Sequence, residues 1–109
     1  MIRHCVFLDL KSGYQSDDLQ EILSGLEALS VKLSNVSSFV AGPNQDFEKK
    51  SQRYGWGFTI DFLNREALAA YANDPEHQSL GKRLCALCNG EAQGVVVFDL
   101  EMASATAAT

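Results

Sequence analysis

The stretch Ile2-Arg3-His4-Cys5-Val6-Phe7-Leu8-Asp9-Leu10, residues 2–10, decides the fold, because it reads as a strand with two apolar faces. Side chains alternate across a strand, so one face carries Ile2, His4, Val6, Leu8 and Leu10 and the other carries Arg3, Cys5, Phe7 and Asp9. Residues 95–100 are also apolar on both faces. A monomer would expose a contiguous apolar sheet face, which monomeric soluble proteins usually avoid. We therefore expect a second copy of the chain to cover that face.

A leucine-rich helix follows this first strand. Ser16 or Asp17 is expected to cap it, and its apolar residues recur at helical spacing as far as Leu33. Residues 36–41 read as a short second strand, which we expect to stop at Gly42-Pro43-Asn44, where glycine and proline oppose ordinary ladder geometry.

The third strand is expected over residues 54–62, where aromatic and β-branched residues alternate with glycines and polar residues. Asn64 can cap a second helix, which Asp74-Pro75 restarts with Asp as the N-cap and Pro at the first helical position. Residues 95–100 form the last strand. This order predicts an α+β, ferredoxin-like βαββαβ sandwich, with a four-stranded antiparallel sheet and two helices on one face.

Composition narrows the class of protein further. The 109 residues, 46% of them hydrophobic, fit one domain over residues 1–101, followed by a small-residue tail at 102–109 that we expect to be flexible. A net charge of -5 opposes binding to nucleic acid or to an anionic membrane surface, and we expect neither partner. No secretory signal is visible, so the cytoplasm is the expected location. The three cysteines are expected to be reduced thiols.

Several short motifs in order resemble the stress-responsive A/B-barrel (Dabb) family, over nearly the whole chain to about Glu101. They are Met1-Ile2-Arg3-His4, Gly42-Pro43-Asn44, Tyr54, Glu66-Ala67-Leu68 with Tyr71, Asp74-Pro75-Glu76-His77 and Val97-Phe98-Asp99. The resemblance implies a dimeric α/β barrel, in which two ferredoxin-like protomers meet through their sheet faces. It agrees with the homodimer expected from the two-sided strands.

Tyr71 and His77 are the candidate catalytic residues. His77 occupies the third position of the helix begun at Asp74-Pro75, where the helix dipole favours neutral imidazole and the Asp74 carboxylate favours imidazolium. The direction of any pKa shift stays open at this point. The resemblance implies more: a tyrosine and a histidine at these positions act in an aldol-type ring closure by a plant polyketide cyclase of the family. The alternative is structural, with Tyr71 packing in the core and His77 completing a helix start.

The expected pocket is lined by His4, Trp56 and Phe58. His4 matches the first-strand histidine of that cyclase, whereas Trp56 replaces its third-strand histidine, which changes the size and polarity of the pocket. No metal site is expected, because neither a second CxxC nor a histidine pair accompanies Cys85-x-x-Cys88. This pair also falls late in a helix, where the dipole does not lower a thiol pKa. No cofactor is expected. These two thiols are expected to be structural.

Three functions are therefore open. The first is a Dabb homodimer of undetermined biochemical activity, with an apolar pocket for a small apolar or aromatic ligand. The second is a polyketide-cyclase-like or lyase-like enzyme that uses His77 and Tyr71. The third, a cofactor-free monooxygenase, is implied only because such enzymes share the dimeric barrel.

Overall fold

A computed structural model describes residues 1–103 of the chain. Its elements in chain order are β1 (Ile2–Leu8), α1 (Ser16–Lys32), β2 (Val36–Pro43), β3 (Trp56–Phe62), α2 (Arg65–Asn73), α3 (Pro75–Ala86), a short 3-10 helix (Glu91–Gly94) and β4 (Val95–Glu101). The four strands form one antiparallel sheet in the order β2-β3-β1-β4. The ferredoxin-like α+β prediction is confirmed.

The two faces of this sheet have different partners. The inner face packs against the helices and carries buried Val6, Leu8, Phe58, Ile60 and Phe62, which form one core with the leucine stripe of α1. Among residues 1–103, no helix lies over the outer face. Register pairs Phe7 with Val96 and Cys5 with Phe98, so apolar groups of β1 and β4 lie together there. The two-sided pattern in the sequence therefore corresponds to one helix-covered face and one uncovered face.

The second helix is divided at Asp74 into α2 and α3, as the Asp74-Pro75 pair predicts. The Asp74 carboxylate accepts hydrogen bonds from the backbone N–H groups of Glu76 at 2.8 Å and His77 at 3.2 Å. Asn64 caps α2 by accepting from the Ala67 N–H at 2.9 Å, again as predicted. Both caps satisfy backbone donors that have no partner inside the helix.

The prediction for the start of α1 was wrong. Gln15 is the N-cap and makes no side-chain capping bond, and Ser16 is already the first helical residue. Asp17 lies in the first turn, where its charge interacts favourably with the helix dipole.

Strand β2 is longer than the sequence predicted. It continues through Gly42, which pairs with Gly57, and Pro43, which pairs with Trp56. Proline is tolerated because β2 is an edge strand, where a missing N–H on the outer side breaks no ladder bond. A bulge between Ser37 and Val40, with Ser38 at a φ of 59°, shifts the register midway.

The first and last strands also end at residues other than those predicted. β1 stops at Leu8, and Leu10 makes only an isolated bridge to Cys88. β4 extends to Glu101, and the Met102 N–H donates to the Met1 carbonyl at 2.8 Å. Most of the predicted flexible tail, residues 104–109, lies outside the described residues. Within residues 1–103, no helix has the length and apolar character needed to cross a membrane.

Candidate functional site

The break between α2 and α3 brings Tyr71 and His77 together. Tyr71 lies in the last turn of α2, where its carbonyl accepts from the Asp74 N–H at 3.1 Å, and His77 lies in the first turn of α3. The change of direction at Asp74-Pro75 sets the two rings side by side, with centroids 4.1 Å apart and planes tilted by 44°. Two residues six apart in sequence thus share one site.

Tyr71 is the most deeply enclosed residue of the site, at 1% exposure. Its ring contacts Phe62 at a centroid distance of 5.1 Å and His4 at 5.9 Å. Burial raises the pKa of the Tyr71 phenol well above its usual range, so the hydroxyl stays protonated at neutral pH. Among the described residues, this hydroxyl is the one buried side-chain polar atom without a hydrogen-bond partner. Such a group costs free energy unless a ligand or water satisfies it.

His77 is half-buried and neutral at physiological pH. Burial lowers the pKa of its imidazole, and the nearby His4 ring acts in the same direction. The Ala72 carbonyl and Asp74 oppose the shift without reversing it. The long 3.4 Å contact between His77 Nδ1 and the Ala72 oxygen favours the tautomer with the proton on Nδ1. His77 Nε2 then carries a lone pair that can accept a proton.

His4 is held by a carboxylate that the sequence analysis did not assign. Its Nδ1 lies 2.6 Å from Asp99 Oδ1, and strand register places these two residues opposite each other on β1 and β4. The His4 side chain is 13% exposed and that of Asp99 is 42% exposed. Asp99 therefore fixes the orientation of the His4 ring and leaves Nε2 as the nitrogen available to a ligand.

These side chains line one cavity of about 170 Å³ between the inner face of the sheet and helices α2 and α3. His4, Tyr71 and His77 form its polar end. The remainder of its wall is apolar and includes Val6, Phe58, Leu84 and Val97. Val97 is 46% exposed on the edge strand β4, so the cavity opens to solvent on that side.

The family model for the stress responsive A/B barrel domain matches residues 2–102, which is nearly the whole chain. The chain belongs to this family. A search among curated proteins gives no significant match.

Solved structures similar to this Dabb chain agree on the fold. A dimeric ferredoxin-like protein of unknown function from Jannaschia sp. CCS1 is 40% identical, with a TM-score of 0.89 over 93% of this chain and 98% of that chain. A Dabb family protein from Mesorhizobium loti is 19% identical, with a TM-score of 0.71 over 94% and 97%. The hydroxynitrile lyase from Passiflora edulis is 14% identical, with a TM-score of 0.78 over 94% and 93%. The last two likenesses show the fold alone.

The Dabb cavity includes two of the three predicted pocket residues, His4 and Phe58, but not Trp56. Trp56 shares the inner face with Phe58 but pairs with Leu8, four residues along β1 from His4. At about 3.3 Å per residue, this separation is about 13 Å. Trp56 instead lines a cleft between α1 and β2.

Sequence reasoning missed most wall residues of the cavity, among them Gly81 and Cys85. Both lie on α3 at four-residue intervals from His77, a spacing that places residues near one another on a helix surface. A Cβ at Gly81 would meet no atom within 4 Å, so this glycine leaves open space in the wall. The helical spacing was visible in the sequence, but which face of α3 borders a cavity was not.

The thiols of the Cys85-x-x-Cys88 pair are free and buried to different degrees. Burial raises the pKa of the half-buried Cys85 thiol and raises that of the fully buried Cys88 to about 11. Both groups are therefore protonated at neutral pH, which makes them weak nucleophiles. Within residues 1–103 no three His, Cys, Asp or Glu side chains are grouped to hold a metal ion.

Proposed function

We propose that this Dabb chain binds a small, neutral, mostly apolar molecule in the inner cavity, with a carbonyl oxygen of that molecule accepting a hydrogen bond from Tyr71. The observation that carries the proposal is the Tyr71 hydroxyl, which is buried, protonated and without a partner in the described residues. A carbonyl group supplies the missing acceptor. Satisfying a buried donor of this kind is worth about 1–3 kcal/mol.

The charge of the cavity favours a neutral ligand. No lysine or arginine among the described residues lines it, and His77 is neutral. The nearby Asp99 carboxylate is already paired with His4. An ionised ligand would lose its hydration without gaining an opposite charge, which is strongly unfavourable.

The size of the cavity favours a single ring or a short chain. An apolar cavity of about 150 Å³ is large enough to take up benzene, and the cavity here measures about 170 Å³. The part of α3 that lines the cavity, from His77 to Cys85, is about 12 Å long at a rise of 1.5 Å per residue. Acetophenone is a suitable probe, because it joins one aromatic ring to one carbonyl group.

The test compares acetophenone with ethylbenzene, which has nearly the same shape and no carbonyl. Binding to wild type and to Tyr71→Phe is measured by titration calorimetry. We expect wild type to prefer acetophenone by at least tenfold and the variant to lose that preference while still binding ethylbenzene. Equal preference in both proteins would remove Tyr71 from ligand recognition.

A second candidate function is proton transfer next to the carbonyl, as in an aldol-type cyclase or a lyase. It is favoured by the neutral His77 beside a protonated Tyr71, with ring centroids 4.1 Å apart. His77 Nε2 would remove a proton from the carbon next to the carbonyl, and the electron pair of that C–H bond would form an enolate. The Tyr71 hydroxyl would stabilise the enolate oxygen, and the imidazolium would return its proton to carbon.

Solvent deuterium exchange tests this candidate directly. In D₂O, wild type should speed the incorporation of deuterium into the methyl group of acetophenone, followed by NMR. His77→Gln keeps a neutral polar side chain but has no comparable base, so exchange should fall about 10²–10⁴-fold toward the buffer rate. If the variant exchanges as fast as wild type, His77 is not the base.

We also propose that two copies pair through the outer face of the sheet. Val40, Phe98 and Leu100 are 64%, 52% and 54% exposed, and register places them on that face. Exposed apolar area of this kind marks an interaction surface. The Jannaschia protein, which is 40% identical, is dimeric, and this supports pairing of two copies of this chain.

The cytoplasm is the proposed location, supported by three free cysteines, two of which are buried. Proteins of oxidising compartments usually pair such thiols. Fractionation of native cells, followed by detection of the chain with an antibody, tests this location.

A further inference from the structure

The outer face of the sheet holds a second and larger cavity, the outer groove. It measures about 720 Å³ and is lined mainly by apolar residues, including Phe7, Val40, Gly42, Tyr54 and Phe98. The sheet separates it from the cavity of Tyr71 and His77, which lies on the inner face. The outer groove therefore needs a different occupant from the one proposed for the inner cavity.

One wall of the outer groove is the loop between β2 and β3, residues 44–55, called here the Phe47 loop. Hydrogen bonds within the loop hold it in a fixed shape. The Asn44 amide donates to the Tyr54 carbonyl at 2.8 Å, and Asp46 Oδ1 accepts from the backbone N–H groups of Lys50 at 2.9 Å and Ser51 at 2.8 Å. The loop has therefore lost much of its conformational freedom before any partner arrives.

A further contact ties the Phe47 loop to the body of the domain. Arg53 Nε donates to Asp9 Oδ2 at 2.8 Å, and Asp9 is 8% exposed just after β1. Asn89 also donates to Asp9, at 3.1 Å. The loop is thus braced internally at its turn and tied to the body of the domain at Arg53, near the end that leads into β3.

Phe47 projects from this fixed loop at 95% exposure. It is the most exposed large apolar side chain of the described residues, ahead of Val31 at 83%. Its ring gains nothing from the protomer that carries it, since large aromatic side chains stabilise a protein mainly through burial. A rigid loop that presents an exposed aromatic ring is pre-organised to bind a complementary apolar surface.

We propose that Phe47 of each copy inserts into the outer groove of the other copy when the outer faces pair. The inference rests on the dimer proposed above and names the residue that completes its interface. In a two-fold dimer the same patch meets itself, so the contact forms twice. The outer groove and the Phe47 loop border one another on the face assigned to the dimer. A single interface can therefore fill the groove and bury Phe47.

Sedimentation equilibrium over a range of protein concentrations measures the dimer dissociation constant of wild type and three variants. Phe47→Ser removes the ring. Val31→Ser is the matched control, because Val31 is also exposed but lies on α1, across the sheet from the outer face. Gly42→Leu fills the groove. A Cβ at position 42 would have no atom of its own protomer within 4 Å, so the leucine side chain fits without a clash. Near-UV circular dichroism checks that each variant is folded.

We expect Phe47→Ser and Gly42→Leu each to raise the dissociation constant at least tenfold and Val31→Ser to change it less than twofold. Phe47→Ser and Gly42→Leu act on one contact. The dissociation constant of the double variant should therefore be no more than threefold above that of the single variant that dimerises less tightly. The proposed insertion is wrong if Phe47→Ser or Gly42→Leu has the dissociation constant of wild type. It is also wrong if the fold-changes of the two single variants multiply in the double variant. A monomeric wild type instead overturns the dimer itself.

Discussion

Gly81→Ala should make the protein more stable and its cavity smaller. Gly81 is the seventh residue of the 12-residue helix α3, where alanine is favoured over glycine by about 1 kcal/mol because glycine loses more backbone entropy on folding. The new methyl group would meet no atom within 4 Å, so no clash offsets this gain. We expect the free energy of unfolding to rise by about 1 kcal/mol, which corresponds to roughly 4 °C in Tm for a domain of this length.

Urea unfolding at one fixed protomer concentration measures the effect, since the stability of a dimer depends on concentration. Gly25→Ala is the matched control: it lies inside α1, but its Cβ would approach Leu80 Cδ2 to 3.0 Å. The same propensity gain is then opposed by crowding, so its net gain should be smaller. A Gly81→Ala variant that is less stable than wild type would refute the open space assigned to the cavity wall. The same methyl group should weaken acetophenone binding.

Three further predictions follow from the same site and its supports. Tyr71→Phe removes a buried hydroxyl without a partner and should raise the free energy of unfolding by about 1–3 kcal/mol in denaturant melts; a loss of stability would mean that the hydroxyl is satisfied in solution. Because the folded-state pKa of His77 lies below its ordinary value of 6.5, the unfolded chain binds an extra proton as pH falls through that value. This contribution to stability is therefore complete well above pH 6.5 and is lost progressively as pH falls through it. His77→Gln should flatten that decline between pH 7.5 and 5.5 in the same melts, and an unchanged slope would contradict the buried neutral imidazole. Gly94→Ala would bring a Cβ to 2.3 Å from the Asn89 carbonyl oxygen, so it should destabilise by about 1–3 kcal/mol, and a neutral result would contradict this packing.

Local signals in the sequence predicted the part of the site that local structure builds. Asp74-Pro75 is a helix start whose cap and proline are chemically explicit, and it alone determines that Tyr71 and His77 lie on either side of a break. The pKa direction of His77 was open because the sequence does not give the depth of burial, which proved to be the largest cause.

Residues that enter the site through strand register were harder to predict. Asp99 reaches His4 because β4 pairs with β1 in one register, and a shift by a single residue would turn Asp99 to the other face. Trp56 lies on the inner face, as its alternation predicts, but it pairs with Leu8, four residues along β1 from His4. Whether a strand residue lines the cavity depends on where α2 and α3 pass over the sheet, and strand periodicity carries no information on that.

The edges of the sheet show the same difference between local preference and tertiary context. Gly42 and Pro43 read as a strand end, but β2 is an edge strand and continues through both. The position of β2 at the edge is a property of the whole topology, which the residues of β2 do not reveal.

Carbon-13 NMR of acetophenone labelled at its carbonyl carbon tests most directly whether Tyr71 recognises a carbonyl ligand. A hydrogen bond to the carbonyl oxygen withdraws electron density from that carbon, so its resonance should move downfield on binding to wild type. With Tyr71→Phe at saturating ligand, we predict a bound resonance close to that in an apolar solvent. The same downfield position in both proteins would contradict the assigned role of the Tyr71 hydroxyl.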